Sequence, residues 1–299
     1  MRQTLVSTTA AVLAVAAVLS PAVSAQRGAP LATKRVYVQV VDEHEKPVTD
    51  LTVADFEIEE ERVTREVTRL SPGTAPMRIV LLVDSSTSTQ PMMAMFRNAL
   101  NAFVDALPPE HEIVFVTSGS QIRVRNGPST DRIKLKNDIG LLQSEGGANA
   151  FLETLLEADQ RFLKPAAGMW PVFAILTTDI GEVRREPDIP RYNRFMNDYL
   201  ARGGSAHAII MQGTSFGPIT DITQNFVQNM GGMYLSQIVD SGLPARMVSM
   251  AERLAADHRR MATWYELEFS GDAKLVQPTI RVSIRRQGFT ARMSVRRPN

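Results

Sequence analysis

Three oxygen-bearing side chains stand two residues apart where an apolar run of the chain ends. Asp84, Ser86 and Ser88 follow the apolar residues 79–83. Five apolar residues without alternation are typical of a strand that is buried on both faces. Ligands of open α/β sheets bind past the carboxyl ends of such strands. Carboxylate and hydroxyl oxygens suit a hard cation such as Mg²⁺, which takes about six oxygens at roughly 2.1 Å. The spacing therefore predicts a metal site at the rim of a sheet.

The pattern Asp-x-Ser-x-Ser after a buried strand resembles the metal-ion-dependent adhesion site of von Willebrand factor type A (VWFA) domains. In that family a Thr from a second loop and an Asp after a later strand join the first three residues, and a carboxylate of the partner completes the metal shell. The resemblance implies that Asp179 is the second Asp. It also implies that Asp84 and Asp179 act through bridging waters, while Ser86 and Ser88 coordinate directly. The Thr position holds Ala148, so the implied site is degenerate.

Two readings of the residues near this site remain open. The amide oxygen of Asn149 replaces part of the missing hydroxyl, or Asn149 caps the helix predicted for residues 150–163. Likewise Asp84 and the serines bind a metal, or they only cap the helix that Pro91 is predicted to open.

The rest of the chain must position these residues. Strand and helix patterns alternate through residues 77–260, which predicts a doubly wound, mostly parallel α/β sheet. Residues 121–125 alternate between apolar and polar, which favours an antiparallel edge strand.

Short strand patterns also occur at both ends, in residues 33–71 and 262–297. Neither set is large enough to stand alone, so we expect them to pair into one small β-sandwich. The early strands are predicted at residues 35–42, 48–51, 54–58 and 62–70. The two ends contain a Val-Thr-x-Leu stretch, an Asp-Phe dipeptide, and a Tyr-x-Leu strand followed by a basic β-hairpin. In these features the chain resembles the secreted bacterial VWFA-related family, and the resemblance covers nearly everything after residue 33.

Composition and the amino terminus indicate export. Arg2, the apolar residues 10–19 and a small-residue cleavage site predict a signal peptide over residues 1–25. There is no cysteine, which excludes disulfides and a lipidated Cys. Lys and Arg number 33 against 32 acidic residues, and Arg2 leaves with the leader, so the mature chain is neutral. We therefore expect a secreted or periplasmic protein that binds no nucleic acid and is not stably inserted in a membrane.

Enzymatic readings have less support in the residues. Residues 213–217 fit the nucleophile-elbow pattern Gly-x-Ser-x-Gly, which would make Ser215, Asp240 and His258 a serine hydrolase triad. A haloacid-type phosphatase would need an Asp where Ser86 stands. We expect instead a non-enzymatic binding protein whose partner is a protein or another carboxylate-bearing ligand. A structural envelope protein that uses the same fold without metal is the alternative.

Overall fold

The computed structural model describes residues 30–180, 188–212, 217–238, 242–295 and 297–298. Its strands are β1 (Leu31–Val41), β2 (Phe56–Glu60), β3 (Val63–Arg65), β4 (Val67–Pro72), β5 (Met77–Asp84), β6 (Glu112–Ser118), β7 (Ile122–Ser129), β8 (Trp170–Asp179), β9 (Ser205–Gln212), β10 (Tyr234–Gln237), β11 (Tyr265–Asp272), β12 (Ile280–Ile284) and β13 (Thr290–Ser294). Its α-helices are α1 (Met93–Ala106), α2 (Arg132–Gly140), α3 (Phe151–Ala158), α4 (Ile189–Ala201), α5 (Pro218–Met230) and α6 (Leu243–Met261).

Six strands form the large sheet, in the order β10-β9-β8-β5-β6-β7. Every neighbouring pair is parallel except β6 and β7, so β7 is the antiparallel edge strand expected from the alternating residues. The chain runs from β5 outward through β6 and β7, then crosses to β8 on the other side of β5. The predicted doubly wound, mostly parallel sheet is confirmed, and its order reverses between β5 and β8.

Both faces of β5 are buried, which explains why its sequence does not alternate. Ile79, Leu81 and Val83 pack in the core that includes residues of α1, α2 and α6. Val80 and Leu82 pack in the opposite core, with residues of α3, α4 and α5. The central strand is therefore held rigidly from both sides up to the residue at which it ends.

The terminal strands form two smaller sheets that share a third apolar core. One has the order β13-β1-β11-β4 and the other the order β12-β2-β3. Val36 of β1 pairs with Leu267 of β11, and Ile58 of β2 pairs with Val282 of β12. The predicted sandwich of amino- and carboxyl-terminal strands is confirmed. The expected basic hairpin is wrong, because β12 and β13 belong to different sheets.

Three local predictions are also corrected. Residues 48–51 form no strand, and only an isolated bridge joins Pro47 to Val41. Pro91 lies inside a 3-10 turn (Thr87–Met92), so α1 begins later, at Met93. The helix expected over residues 150–163 ends as α3 at Ala158 and continues as a π-helical turn (Asp159–Leu163).

The described helices do not include one with the length and apolar character of a bilayer span. The predicted signal peptide lies outside the described residues.

A buried histidine in β9 makes stability depend on pH. Burial lowers the pKa of His207 to about 3, and its Nδ1 accepts a hydrogen bond from Met233 N (3.1 Å). Between pH 7 and pH 5 the unfolded chain takes up a proton there that the folded chain does not, which costs about 2 kcal/mol of stability. We expect the loss of urea stability over this interval to be about that much smaller in His207→Asn. Equal losses in the two proteins would contradict this assignment.

Candidate metal centre

The candidate site lies where the strand order of the large sheet reverses. β5 ends at Asp84 and β8 ends at Asp179, and the two strands are parallel neighbours, with Val83 opposite Leu176. In open α/β sheets this reversal leaves a crevice past the carboxyl ends of the strands. The fold thus brings the two loops of the predicted site to one rim.

Asp84 is fully buried and held by four hydrogen bonds. Its Oδ1 accepts from Ser86 N (2.8 Å). Its Oδ2 accepts from Asn149 Nδ2 (2.8 Å), Thr178 N (3.2 Å) and Thr178 Oγ1. Burial raises the pKa of Asp84, and the hydrogen bonds from Thr178 and Ser86 oppose that rise only in part. A nearby cation would stabilise the ionised carboxylate by offsetting the cost of burial.

The two serine hydroxyls beside Asp84 are spaced as ligands of a small cation would be. Ser86 Oγ lies 3.0 Å from Ser88 Oγ. Two oxygens at right angles around an ion with bonds of roughly 2.1 Å are about 3.0 Å apart. Ser88 Oγ also lies 3.5 Å from Thr178 Oγ1. The donor set, all oxygen, fits a hard divalent cation, with Ser86 and Ser88 as the residues able to hold it.

The loop that should supply a threonine is in place but carries a methyl group instead. Gly146 and Gly147 adopt φ values of +77° and +73°, which favour glycine, and Gly147 O accepts from Thr87 N (3.0 Å). A Cβ at Gly147 would lie 2.7 Å from Cβ of Ser120. The turn therefore brings Ala148 to the position of the second loop, and Ala148 has no oxygen to offer.

Asn149 does not cap the following helix, so that prediction is wrong. The cap position of α3 is Ala150, which makes no side-chain bond. The Asn149 side chain instead points into the site. Its Nδ2 donates to Asp84 and to Thr177 Oγ1 (3.1 Å), and its Oδ1 accepts from Ser118 Oγ (3.0 Å). The amide nitrogen, not the oxygen, meets the carboxylate, so Asn149 orients Asp84 and does not replace the missing hydroxyl ligand.

Asp179 has a structural contact in addition to its place at the rim. Its Oδ2 accepts from Gly217 N (2.7 Å) and Thr220 N (3.0 Å), in the first turn of α5. A carboxylate is favourable there because a helix amino terminus carries a partial positive charge. One carboxylate oxygen thus anchors α5, which leaves Oδ1 as the oxygen able to act through water.

The carboxylate of Glu145, which the sequence analysis did not single out, holds the loops of the rim together. Glu145 Oε2 accepts from Ser85 Oγ (2.8 Å) and Thr117 Oγ1 (3.0 Å). Its other oxygen is paired with Arg123 (3.2 Å) and Arg125. These contacts tie the 145–147 loop to β6, β7 and the start of the Asp84 loop. The pair Thr177-Thr178 just before Asp179 was the available signal for a hydroxyl on Asp84, whereas nothing local in the sequence marks Glu145.

His258, the member of the alternative hydrolase triad that lies in the described residues, is not at this rim. Ser215 and Asp240 lie outside the described residues. His258 Nε2 contacts Thr74 Oγ1 (2.8 Å) and Ala75 O (3.0 Å), which precede β5 at the amino edge of the sheet. The first and last of the eight residues of β5 are seven steps apart, which separates the two edges by roughly 23 Å at about 3.3 Å per step. β9 ends at Gln212 on the carboxyl edge, so His258 lies at the opposite edge of the sheet from that strand end.

Three solved structures are similar to parts of this chain. A von Willebrand factor type A protein from Catenulispora acidiphila matches with a TM-score of 0.50 and 16% identity, over 76% of this chain and 50% of that chain. An aerotolerance-related membrane protein from Bacteroides fragilis matches with a TM-score of 0.46 and 13% identity, over 60% of this chain and 99% of that chain. A manganese-loaded TRAP protein from Plasmodium vivax matches with a TM-score of 0.47 and 14% identity, over 76% of this chain and 82% of that chain.

The chain therefore spans half the length of the Catenulispora protein. No protein-family model matches it, and a search of curated proteins finds no relative. At these identities the structural likeness concerns the fold alone, and at that level the resemblance drawn from the sequence is confirmed.

Proposed function

We propose, from the premise that this chain contains a von Willebrand factor type A domain fold, that it is a secreted binding protein. Its rim at Asp84, Ser86 and Ser88 holds a divalent cation such as Mg²⁺, and a carboxylate of a protein partner completes the shell. One observation carries the proposal: two hydroxyls 3.0 Å apart stand beside a fully buried carboxylate whose pKa is raised by burial.

Each residue of the rim has a distinct part in this function. Ser86 and Ser88 offer neutral oxygens as direct ligands, which leaves positive charge on the ion for an acidic partner. Asp84 is held in position by its bonds to Asn149 and Thr178, so it would supply negative charge to a bound ion without a change of conformation. When bound, the ion supplies a positive charge that attracts and orients a carboxylate. No bond is made or broken, and the function is recognition.

Titration with Mg²⁺ and Mn²⁺ tests the metal step. Wild type is expected to bind one ion per chain, and Asp84→Ala is expected to lose the binding heat. Ala148→Thr should tighten binding by about tenfold or more, because one added ligand worth about 1.4 kcal/mol is a factor of ten. Absence of heat in both wild type and Ala148→Thr would overturn the metal site and favour the metal-free structural role.

A glycine next to Asp179 offers a second test. A Cβ at Gly217 would lie 2.6 Å from Asp179 Oδ1, and the backbone φ of Gly217 (−122°) is one that alanine adopts readily. Gly217→Ala is therefore expected to displace the carboxylate and weaken Mn²⁺ binding by about tenfold, with about 1 kcal/mol of lost stability. Gly127→Ala is the control, because a Cβ there meets no atom within 4 Å. Equal Mn²⁺ affinity in the two variants would exclude Asp179 from the site.

The export part of the proposal is supported by the leader pattern in residues 1–25. Expression of the full gene in a bacterial host, followed by amino-terminal sequencing of the exported protein, should give a chain that begins at residue 26. A chain that stays in the cytoplasm with residues 1–25 intact would contradict it.

A further inference from the structure

A second group of metal-ligating side chains lies at the opposite, amino edge of the large sheet. Glu110 and His111 come just before β6, and His258 lies in the last turn of α6. One ligand atom from each of the three lies within 4.8 Å of the others. We refer to these three residues as the amino-edge cluster. Neither the rim nor the proposed binding function uses it.

The buried member of the cluster lacks a partner on one ring nitrogen. His111 is fully buried, and its Nε2 has no hydrogen-bond partner among the described residues. Its Nδ1 accepts only a long bond from Met77 N (3.4 Å). Buried polar atoms of native proteins are normally satisfied, so an unpaired one requires an explanation. A metal ion bound at Nε2, with the ring proton moved to Nδ1, would supply it.

The second imidazole is held as metal-binding histidines commonly are. His258 Nε2 lies 3.0 Å from Ala75 O and 2.8 Å from Thr74 Oγ1. A metal-ligating histidine usually donates its other ring N–H to a carbonyl, a carboxylate or water, which fixes the tautomer and the ring. A ring proton on Nε2, donated to Ala75 O, would leave the Nδ1 lone pair of His258 for a metal. The ring also packs against His111, with centroids 4.6 Å apart.

Glu110 supplies a negative charge to the amino-edge cluster and connects the cluster to solvent. Its side chain is 57% exposed, and its Oε1 lies 3.8 Å from His111 Nε2. Arg132 opposes a cation, but its Nη2 is bound to the carbonyls of Pro108 and His111 (3.1 and 2.7 Å). The Glu110 carboxylate offsets that charge from the solvent side.

We propose that the amino-edge cluster binds a transition-metal ion such as Zn²⁺, through one nitrogen of each histidine and one oxygen of Glu110. Two imidazoles and a carboxylate suit Zn²⁺, Cu²⁺ or Ni²⁺, whereas Mg²⁺ prefers oxygen alone. A metal on Nε2 moves the His111 ring proton to Nδ1, so binding requires the long bond from Met77 to be released. An ion bound there would connect the start of β6 to the end of α6.

Zn²⁺ titration of the full chain in excess Mg²⁺ tests the site separately from the rim. Wild type and Asp84→Ala are both expected to bind one Zn²⁺ per chain. His258→Gln and Glu110→Gln should weaken binding by about tenfold or more. His44→Gln, which changes an exposed histidine beside Glu43, should bind as wild type does. Glu110 is exposed, so its variant folds even if a histidine variant does not. Unchanged affinity in Glu110→Gln and in a folded His258→Gln would overturn the proposal, as would loss of binding in Asp84→Ala.

Tryptophan emission can show whether the metal binds at the amino-edge cluster. The Trp170 ring stacks on His258, with centroids 6.2 Å apart and planes at 23°. In a Trp264→Phe background, where Trp170 is the remaining tryptophan of the chain, Cu²⁺ is expected to quench emission with a saturable transition at one ion per chain. Adding Glu110→Gln should shift that transition to higher Cu²⁺ concentration. Quenching that is not saturable, or that is unaffected by Glu110→Gln, would contradict binding at this cluster.

Discussion

Asn149→Asp is expected to destabilise the protein at pH 7 by about 3–5 kcal/mol in the absence of divalent cations. The substitution replaces the amide nitrogen that donates to Asp84 Oδ2 at 2.8 Å with a second carboxylate oxygen. Both residues are buried, so the two carboxylates cannot both ionise at that separation. The substitution also leaves Thr177 without the donor it receives from Asn149. Urea denaturation measures the change.

Asn149→Ala is the matched control, because it removes the same hydrogen bonds without adding charge. Its cost is expected to be about 1–3 kcal/mol. The sign of the pH dependence separates the two variants. The shared carboxylate pair of Asn149→Asp has a raised pKa in the folded state, so its excess deficit is largest well above that pKa and shrinks as the pH falls. Deficits that are equal and independent of pH would show that Asn149 does not orient Asp84.

Arg297→Ala is expected to cost about 3–5 kcal/mol, the second large effect. The guanidinium is buried and lies 4.3 Å from the centroid of Trp170 and 4.9 Å from that of Tyr37. It donates to the carbonyl of Gly73 and to Glu266 (3.2 Å). The residue thus joins residues 73–76 between β4 and β5, β11 and the start of β8. Its removal leaves the buried Gly73 carbonyl without this donor and leaves Glu266 with Arg35 (3.5 Å) as its remaining ion-pair partner. Chemical denaturation followed by tryptophan emission measures the loss.

Arg292→Ala is the control for charge at the same end of the chain. Arg292 pairs with Glu45, but the two side chains are 51% and 68% exposed. Exposed ion pairs contribute about 0–1 kcal/mol, so this variant should remain close to wild type. Similar losses in the two variants would mean that Arg297 acts as a surface charge and not as a clamp between the sandwich and the large sheet.

The large sheet and the sandwich were predictable because their signals are periodic. An unbroken apolar run such as residues 79–83 is needed only where both faces are covered, and the alternation in residues 35–42 predicts one buried face. Val36, Val38 and Val40 form that face, but Tyr37 on the other face is buried too, because it packs into a core of the large sheet. The residues at which individual helices begin and end were less predictable. Pro91 is compatible with either a 3-10 turn or a helix start, and the bond from Thr89 Oγ1 to Ser86 O (2.7 Å) favours the turn. Tertiary contacts also decide how the 150–163 helix continues.

The sequence predicts which loops form the candidate site, but not the hydrogen bonds that connect their side chains. The spacing of Asp84, Ser86 and Ser88 places three oxygens on one turn, and strand order brings Asp179 to the same rim. The role of Asn149 depends on a contact 65 residues away in the chain, which no local pattern contains. The amino-edge cluster was missed for the same reason, because residues 110 and 258 meet only through the packing of α6 on the sheet.

Crystals grown with MnCl₂ and measured for anomalous scattering test the central claim most directly. A manganese peak is expected between Ser86 Oγ and Ser88 Oγ, at about 2.2 Å from each, with water between the ion and Asp84. The peak should be absent from crystals of Asp84→Ala grown in the same way. A wild-type crystal at saturating manganese with no peak at this rim, or with a peak only at Glu110, His111 and His258, would contradict it.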